Sequence, residues 1–380
     1  MGLKEERIKR LVKWARGGKA GPVSIELVPT ERCNLNCLSC WRRSWTKEDL
    51  ERRFSQEMSD ERLLQLIDEG KEIGLREVAF VGGGEPLLRD VTFKLMKKIK
   101  DYGMEGDLVT NGTLFDAKMI QEIVEMGWDR IKFSVDGVDA KTHDFLRGRE
   151  GAFEEVMNNI KKFAEVKRKL GSEKPRLLFN TVISKRNYRQ LPKLVKLGKR
   201  IGLNGILLLP LTAFCESMKG MKLGEKEVKE FMGILKESIE LAREFGMENN
   251  FHYFLDPKYI QKTESMDEVM MEEVERKIEQ EYPSFEDPVE NFKHAPCYMP
   301  WHHITILANG NIAPCFGEFV WKTDVSIKDH SLKELWFGEY FESYRRIMLE
   351  RRLPDGCKTC CVWRVFENRE IREGLERLLR

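Results

Sequence analysis

The sequence predicts an α/β fold built on a parallel sheet. Six apolar runs rich in Val, Ile, Leu and Phe recur between segments of helical periodicity, and most of the helical segments end near a glycine. The runs are apolar throughout, which is typical of parallel strands covered on both faces, and parallel neighbours require right-handed crossovers. We expect strands at 23–28, 77–82, 106–111, 131–136, 177–183 and 205–210, with helices at 57–74, 91–103, 116–127, 153–170 and 187–201.

Composition and charge narrow the class of protein. The chain has 380 residues, of which 41% are apolar, and this is enough for two or three packed units. A formal net charge of +2 gives no general attraction for nucleic acid or anionic lipid, so we expect neither as a partner. The sequence has no apolar run of about 18 residues and no signal-peptide core, which predicts a cytoplasmic protein. In that reducing compartment, nine cysteines indicate metal or redox chemistry instead of disulfides.

The pattern changes after the sixth strand and predicts further parts. Asn309-Gly310, between alternating apolar segments, predicts a hairpin with a two-residue turn. Long helices are expected near 225–246, 266–281, 331–351 and 362–379. We divide the chain into an N-terminal helix at 1–22, the sheet with its helices at 23–211, a helical insertion at 212–295 and a small C-terminal α+β domain at 296–380.

A cysteine triplet follows the first predicted strand. Cys33, Cys37 and Cys40 have the spacing C-x₃-C-x₂-C, and three thiolates from one loop can hold three irons of a cubane cluster while the fourth iron keeps no protein ligand. A zinc site would need a fourth Cys or His nearby, and this loop has neither. FVGGGEPLL ends the second strand, at the edge where α/β sheets bind ligands, and its glycines allow a close backbone approach.

Together these motifs resemble the radical S-adenosylmethionine (SAM) superfamily. The resemblance covers about residues 23–210 and includes, in the family's order, CNLNCLSC, GGGEP, LVTNGTL, IKFSVDG, HDFLRGREGAF and FNTVISKRN. It implies a partial (β/α)₆ barrel that binds a 4Fe–4S cluster and SAM. In such enzymes the open iron chelates the methionine end of SAM, and one electron from the cluster cleaves SAM to a 5′-deoxyadenosyl radical.

The resemblance also implies roles for individual residues. Cys33, Cys37 and Cys40 are the expected ligands of the SAM-binding cluster. The expected contacts to SAM are Gly82, Gly83, Gly84, Glu85, Ser134, Arg147 and Asn180. The structural alternatives are a strand-end cap for Ser134, a loop amide for Asn180 and a surface arginine for Arg147.

Three further positions near the expected barrel mouth carry weaker signals. Ser39 departs from the family, which often has an aromatic residue there, and Trp41 or Trp45 is the alternative contact to adenine. Asp136 either begins an Asp-Gly turn, which is the favoured interpretation, or faces the substrate. Cys215 follows the sixth strand, where it is either a substrate-facing thiol that donates a hydrogen atom or proton, or a small buried apolar residue.

Five cysteines near the C-terminus form a second group: Cys297, Cys315, Cys357, Cys360 and Cys361. C-x₁₂-G-x₄-C followed by C-x₂-C resembles the auxiliary-cluster extension called SPASM, or its shorter relative, the twitch domain. No cysteine follows Cys361, so the resemblance implies one auxiliary 4Fe–4S cluster and not two. Either Cys360 or Cys361 completes its ligands, and a Cys₄ zinc site is the competing interpretation.

The resemblance implies an enzyme that depends on a reductant such as ferredoxin or flavodoxin. Chains with this extension mostly modify peptides or mature enzymes, and CWRRSW is loosely similar to maturases of tungsten oxidoreductases, so a peptide, protein or enzyme cofactor is the leading substrate hypothesis. The alternative is a small molecule, either a tetrapyrrole, as in heme synthesis, or a nucleotide-derived cofactor precursor. For a tetrapyrrole, Arg42, Arg43, Arg147 and Arg149 would provide a basic lining. The third hypothesis is a non-enzymatic electron carrier or scaffold, which would need no GGGEP motif.

Overall fold

One sheet organises the structure, a computed structural model that describes residues 2–213, 215–257, 260, 283–316, 323–352, 354, 357 and 362–379. Its nine strands are β1 Ser24–Leu27, β2 Glu77–Phe80, β3 Glu105–Thr110, β4 Arg130–Ser134, β5 Arg176–Ile183, β6 Gly205–Pro210, β7 Glu248–Asn249, β8 His303–Ile306 and β9 Ile312–Ala313. The predicted helix near 266–281 lies outside the described residues, as do Cys360 and Cys361.

Helices connect and cover the strands. They are α1 Leu3–Ala15, α2 Lys47–Ser55, α3 Asp60–Glu72, α4 Val91–Asp101, α5 Ala117–Glu125, α6 Ala140–Arg147, α7 Ala152–Leu170, α8 Leu191–Arg200, α9 Glu216–Lys219, α10 Glu225–Glu244, α11 Pro288–Lys293, α12 Leu332–Phe337, α13 Glu339–Leu349 and α14 Val362–Leu378. Among the described helices, none is both long enough and apolar enough to cross a membrane.

The sheet has the order β7-β6-β5-β4-β3-β2-β1-β8-β9. Strands β1 to β6 are neighbours in chain order and all parallel. Right-handed crossovers between sequential parallel strands place the connecting helices on one face of the sheet, and the sheet curves. Strands β7 and β9 are its two edges and do not pair with each other, so the barrel is open. The predicted α/β class with a partial barrel is confirmed.

The local sequence signals located the strands better than the helices. The ends of all six predicted strands lie within two residues of the observed ends. Helices α2 and α6 were missed because each is short, and α6 ends where Gly148 adopts a left-handed φ of 63°. The single helix expected at 331–351 is two helices, because Gly338 is extended and provides the start of α13.

The C-terminal hairpin extends the barrel sheet. Strand β8 is parallel to β1, with Ser24 opposite His303, and β9 is antiparallel to β8. The predicted hairpin is present, but the prediction of a two-residue turn is wrong. The loop has three residues, since Leu307 N donates to Asn311 O and Gly310 N donates to Leu307 O, and Gly310 takes the left-handed position with a φ of 86°.

The two faces of the sheet differ in polarity. Alternate side chains such as Ile25, Val78 and Phe133 point toward the helices and form the main apolar core. The opposite face of β1 carries Glu26, which pairs with Arg364 of α14 at 2.9 Å. Helix α14 therefore packs against the concave face of the sheet, and polar pairs join the two.

Candidate cofactor site

The cysteine loop, residues 28–46, leaves the carboxyl end of β1 and is fixed by its neighbours. Nδ2 of Asn111, just after β3, donates to Oδ1 of Asn34 at 2.8 Å. On the other side, the backbone N–H of Leu38 donates to the carbonyl of Leu146 in α6 at 2.8 Å. These contacts hold the loop where the carboxyl ends of the parallel strands meet, which is the edge where α/β sheets bind ligands.

The three thiols of the cysteine loop share one partly buried environment. Burial raises the pKa of Cys33, and it raises the pKa of Cys40 to about 11, while the neighbouring thiols add to both effects. Bonding to the positively charged iron atoms of a cluster would offset the cost of ionising these buried thiols, so the donor set fits an iron–sulfur cluster. Across the described residues, however, no group of three or more Cys, His, Asp or Glu side chains is already arranged to hold a metal ion.

The glycine strip, Gly82–Gly84, is packed tightly against the cysteine loop. A Cβ atom on Gly83 would lie 2.4 Å from Oε2 of Glu31, and one on Gly84 would lie 1.9 Å from the carbonyl oxygen of Arg32. Gly84 N also donates to Thr30 O at 2.8 Å. The sequence interpretation explained these glycines by the approach of a ligand. In the structure, contact with the backbone of the loop already requires Gly84, whereas Gly83 faces the side chains of Val28 and Glu31.

Glu85 connects the glycine strip to the end of β3. Its Oε1 accepts from Thr110 Oγ1 at 2.7 Å and from Leu87 N at 3.2 Å, and its Oε2 accepts from Asn111 N at 2.7 Å. Burial raises the pKa of Glu85 to about 6, although these hydrogen bonds oppose the rise. Both carboxylate oxygens are engaged by the protein, so this side chain shapes the strip.

A buried ion pair connects β4 and α6 to the cysteine loop. Arg147 pairs with Asp136 at 2.8 Å, and its Nη1 lies 3.9 Å from Sγ of Cys37. Oδ1 of Asp136 also accepts from Val182 N at 2.9 Å. Asp136 was expected to begin a turn, and its pairing with Arg147 was missed because the two residues are eleven positions apart. Arg147 is 9% exposed, so it is not a surface arginine.

Ser134 and Asn180 lie side by side on adjacent strands. They are opposite each other in the register of β4 and β5, at the carboxyl end of β4, and both are half-buried. In the described part of the chain, neither side chain has a protein hydrogen-bond partner. Because polar side chains in such positions are normally paired, this arrangement leaves both available to a ligand.

Two cysteines of the C-terminal group border the same apolar cluster. Cys297 and Cys357 pack against the cluster that contains Tyr298 and Trp301. Nδ2 of Asn368 in α14 lies 3.6 Å from Sγ of Cys297, a contact that the sequence analysis missed because it crosses 71 positions.

The hairpin brings Cys315 back toward the start of β8. Thr305 pairs with Ala313, the last residue of β9, and Cys315 follows two residues later. His302 and His303, at the start of β8, are both buried. Nδ1 of His303 lies 2.8 Å from Oγ of Ser24. Cys215 lies far from this group in the sequence; its Sγ is 3.2 Å from Oγ of Ser217 at the start of α9.

Comparison with known proteins gives the class. Residues 27–198 match the model of the radical SAM superfamily, and residues 297–361 match SPASM, an iron–sulfur cluster-binding domain. These matches identify a radical SAM domain and a SPASM domain in the chain. The predicted family is confirmed, as are the cofactors that these domains use, namely iron–sulfur clusters and SAM.

The relatives have several functions. The chain is 35% identical over 173 residues to an AdoMet-dependent heme synthase from Methanosarcina barkeri, an alignment that covers 46% of each chain. It is 30% identical over 187 residues to the tungsten-containing aldehyde ferredoxin oxidoreductase cofactor-modifying protein of Pyrococcus furiosus, which covers 48% of this chain and 51% of the relative. The chain thus spans about half the length of these curated relatives.

Solved structures confirm the fold. The structure of Streptococcus suis SuiB bound to S-adenosylmethionine matches with a TM-score of 0.62 at 17% identity, covering 89% of this chain and 71% of SuiB. SuiB bound to its precursor peptide SuiA matches with a TM-score of 0.60.

Proposed function

We propose that the protein is a radical SAM enzyme that holds a 4Fe–4S cluster on Cys33, Cys37 and Cys40 and modifies a peptide, a protein side chain or an enzyme cofactor. When both are bound, the cluster and SAM supply a one-electron cleavage that yields a 5′-deoxyadenosyl radical. The observation that carries the proposal is the packing of the cysteine loop against the glycine strip at the carboxyl edge of a parallel sheet.

Different residues around the cysteine loop are assigned to SAM and to the cluster. The unpaired side chains of Ser134 and Asn180 are assigned to the polar groups of SAM, and the backbone of Gly82–Gly84 to its methionine end. Asp136 fixes Arg147, which places a positive charge next to Cys37. A positive charge next to a thiolate ligand stabilises the reduced, more negative form of the cluster.

The second cysteine group is assigned to one auxiliary cluster. Cys297, Cys315 and Cys357 would supply three thiolates and Cys360 or Cys361 the fourth. A hydrogen bond from Asn368 would stabilise negative charge on the Cys297 sulfur. We assign this cluster to electron exchange with the substrate, while Cys215 remains the candidate thiol donor.

Two of the four arginines proposed as a basic lining for a carboxylate-rich tetrapyrrole are engaged in ion pairs, which weakens that alternative. Of the arginines proposed as a basic lining, Arg147 is paired with Asp136 and Arg149 with Glu155, so their charges are already balanced. The tetrapyrrole alternative is supported by the similarity to heme synthases. Deuterium-labelled substrates distinguish the two hypotheses. A labelled peptide or a labelled tetrapyrrole should transfer deuterium to 5′-deoxyadenosine only if it is the true substrate.

SAM cleavage tests the proposal directly. Anaerobically reconstituted protein given SAM and dithionite should release 5′-deoxyadenosine and methionine in equal amounts. The Cys33→Ala/Cys37→Ala/Cys40→Ala variant should lose this cleavage, and Cys215→Ala, the control, should keep it. Wild-type protein that carries the cluster but releases no 5′-deoxyadenosine would contradict the proposal and favour an electron carrier. We place the enzyme in the cytoplasm with a ferredoxin or flavodoxin as its reductant.

A further inference from the structure

A cavity of about 470 Å³ lies between helices α1, α11 and α13. Its apolar wall consists of Trp14, Phe292, Trp301 and Leu349, and we call it the Trp14 cavity. The rings of Phe292 and Trp301 meet edge to face, with their centres 5.0 Å apart. Ligand sites are typically of this volume and combine a mostly apolar, aromatic wall with a few polar groups. The cavity therefore has the size and composition of a ligand site.

The Trp14 cavity and the cysteine loop lie at opposite ends of the strands. Trp301 is two residues before His303, the first residue of β8. Strand β8 is parallel to β1, and β1 leads at its carboxyl end into the cysteine loop. A ligand in the cavity is therefore held away from the thiols of that loop.

Two hydrogen-bond donors on side chains that line the cavity lack acceptors. Arg345 is 2% exposed, and its Nε donates to Pro300 O at 3.1 Å and its Nη1 to Trp336 O at 2.9 Å. In the described part of the chain, neither Nη2 of Arg345 nor Nε1 of Trp14 has a partner, although both atoms are buried. The guanidinium lies 4.4 Å from the centre of the Trp14 ring, so both donors belong to one wall. Because buried donors are normally paired, this wall indicates a ligand that supplies acceptor oxygens.

The charges around the cavity do not favour an ion as that ligand. The charged side chains of its lining are each paired with an opposite charge: Arg345 with Glu342 at 3.1 Å, Arg346 with Glu339 at 2.6 Å, and Glu350 with Arg352. Glu342 also pairs with Lys19 at 3.3 Å. Two backbone carbonyl oxygens already accept hydrogen bonds from Arg345, so further neutral carbonyls are the acceptors that suit the remaining donors.

We propose that the Trp14 cavity binds an uncharged peptide segment through an aromatic side chain and its backbone carbonyl oxygens. The carbonyls accept from Nη2 of Arg345 and Nε1 of Trp14, while the ring packs on the aromatic wall. Both donor atoms are closed to solvent, so binding includes a side-chain movement at this wall. As a second point at which a peptide substrate is held, apart from the residue that is modified, the inference rests on the proposed function.

Fluorine NMR of protein labelled with 5-fluorotryptophan tests the site. N-acetyl-phenylalaninamide, which has a phenyl ring and two amide carbonyls, should shift the resonances of Trp14 and Trp301 with saturation and leave that of Trp128, in the main core, unchanged. Trp14→Phe keeps an aromatic ring but removes the indole N–H, so binding measured on Trp301 should be about three- to tenfold weaker. Leu349→Trp fills the cavity and should abolish binding. The control is Leu170→Trp, the same change on the exposed end of α7, which should bind as the wild type does.

The charged form of the same probe tests the ligand class. N-acetyl-phenylalanine places a carboxylate near Glu342 and Glu350 and should bind more weakly than the amide. Equal or tighter binding of the carboxylate would overturn the assignment of an uncharged ligand. The absence of a saturable shift with the amide would mean that only water fills the cavity, and it would overturn the site.

The outcomes also separate this inference from the proposed function. Wild-type protein that binds the amide but cleaves no SAM with dithionite would overturn the proposed function and leave the peptide-binding cavity in place. Wild-type protein that cleaves SAM while the amide shifts no tryptophan resonance would overturn only the cavity.

Discussion

Replacing Gly84 by Ala tests whether the cysteine loop and the glycine strip form one packed unit. The new Cβ would lie 1.9 Å from the carbonyl oxygen of Arg32 and 2.7 Å from its nitrogen. Carbon and oxygen atoms approach to about 3.3 Å, so the two segments have to separate by about 1 Å or more. That movement lengthens two backbone hydrogen bonds of 2.8 Å, from Gly84 N to Thr30 O and from Glu85 N to Arg32 O, beyond hydrogen-bond distance.

The expected cost follows from these two bonds. Each buried N–H left without an acceptor costs about 1–3 kcal/mol, and the reduced entropy of the unfolded chain returns less than about 1 kcal/mol. Gly84→Ala should therefore lower the free energy of unfolding of the metal-free protein by about 2–4 kcal/mol, measured by urea denaturation. The reconstituted variant should also retain less iron, because the loop is displaced.

A matched substitution controls for the change from Gly to Ala itself. Gly233 lies in α10, and a Cβ atom there would have no atom within 4 Å. Gly233→Ala should raise the free energy of unfolding by about 0.5–1 kcal/mol and leave iron content unchanged. If Gly84→Ala is as stable as the wild type and binds as much iron, the packing argument is refuted.

Two further variants address the buried charges. Arg147→Met leaves Asp136 buried without its cation and should lower the free energy of unfolding by about 3–5 kcal/mol in urea. Arg147→Met should also lower the reduction potential of the loaded cluster in an EPR-monitored titration, whereas Arg147→Lys should largely keep that potential. An unchanged potential in Arg147→Met would show that the charge of Arg147 does not act on the cluster. Burial acts to raise the pKa of Glu26. The contacts with Arg364 and His303 outweigh burial and lower this pKa from 4.5 to about 2. Because the pKa is lower in the folded state, the stabilisation is present above about pH 4.5 and lost as the pH falls toward 2. Glu26→Gln should cost about 3 kcal/mol at pH 7, with a smaller difference from the wild type at pH 4, and a pH-independent difference would contradict the assignment.

The strands and the cysteine triplet were predictable because their signals are local. A buried parallel strand is a short apolar run, and the spacing of Cys33, Cys37 and Cys40 requires only adjacent sequence. The SPASM spacing was also recognised from sequence, and the match of residues 297–361 agrees with it. Short helices were missed, since α6 depends on the cap at Asp139 and the left-handed Gly148.

The contacts that shape the site were not predictable, because they join distant parts of the chain. The Arg147 and Asp136 pair forms only when α6 folds back over the end of β4, and Asn368 reaches Cys297 only when α14 enters the concave face. The parallel pairing of β8 with β1 likewise depends on a strand 279 positions away.

The sequence by itself determined which atoms are available for chemistry: three closely spaced thiols, a glycine strip and a second group of cysteines. Only the tertiary structure decided which charge lies next to Cys37 and why Gly84, packed against the backbone of Arg32, has no side chain. The physical reason is that ligand spacing is set by covalent distance along the chain. Burial, ion pairing and packing arise only when the folded chain brings distant segments into contact.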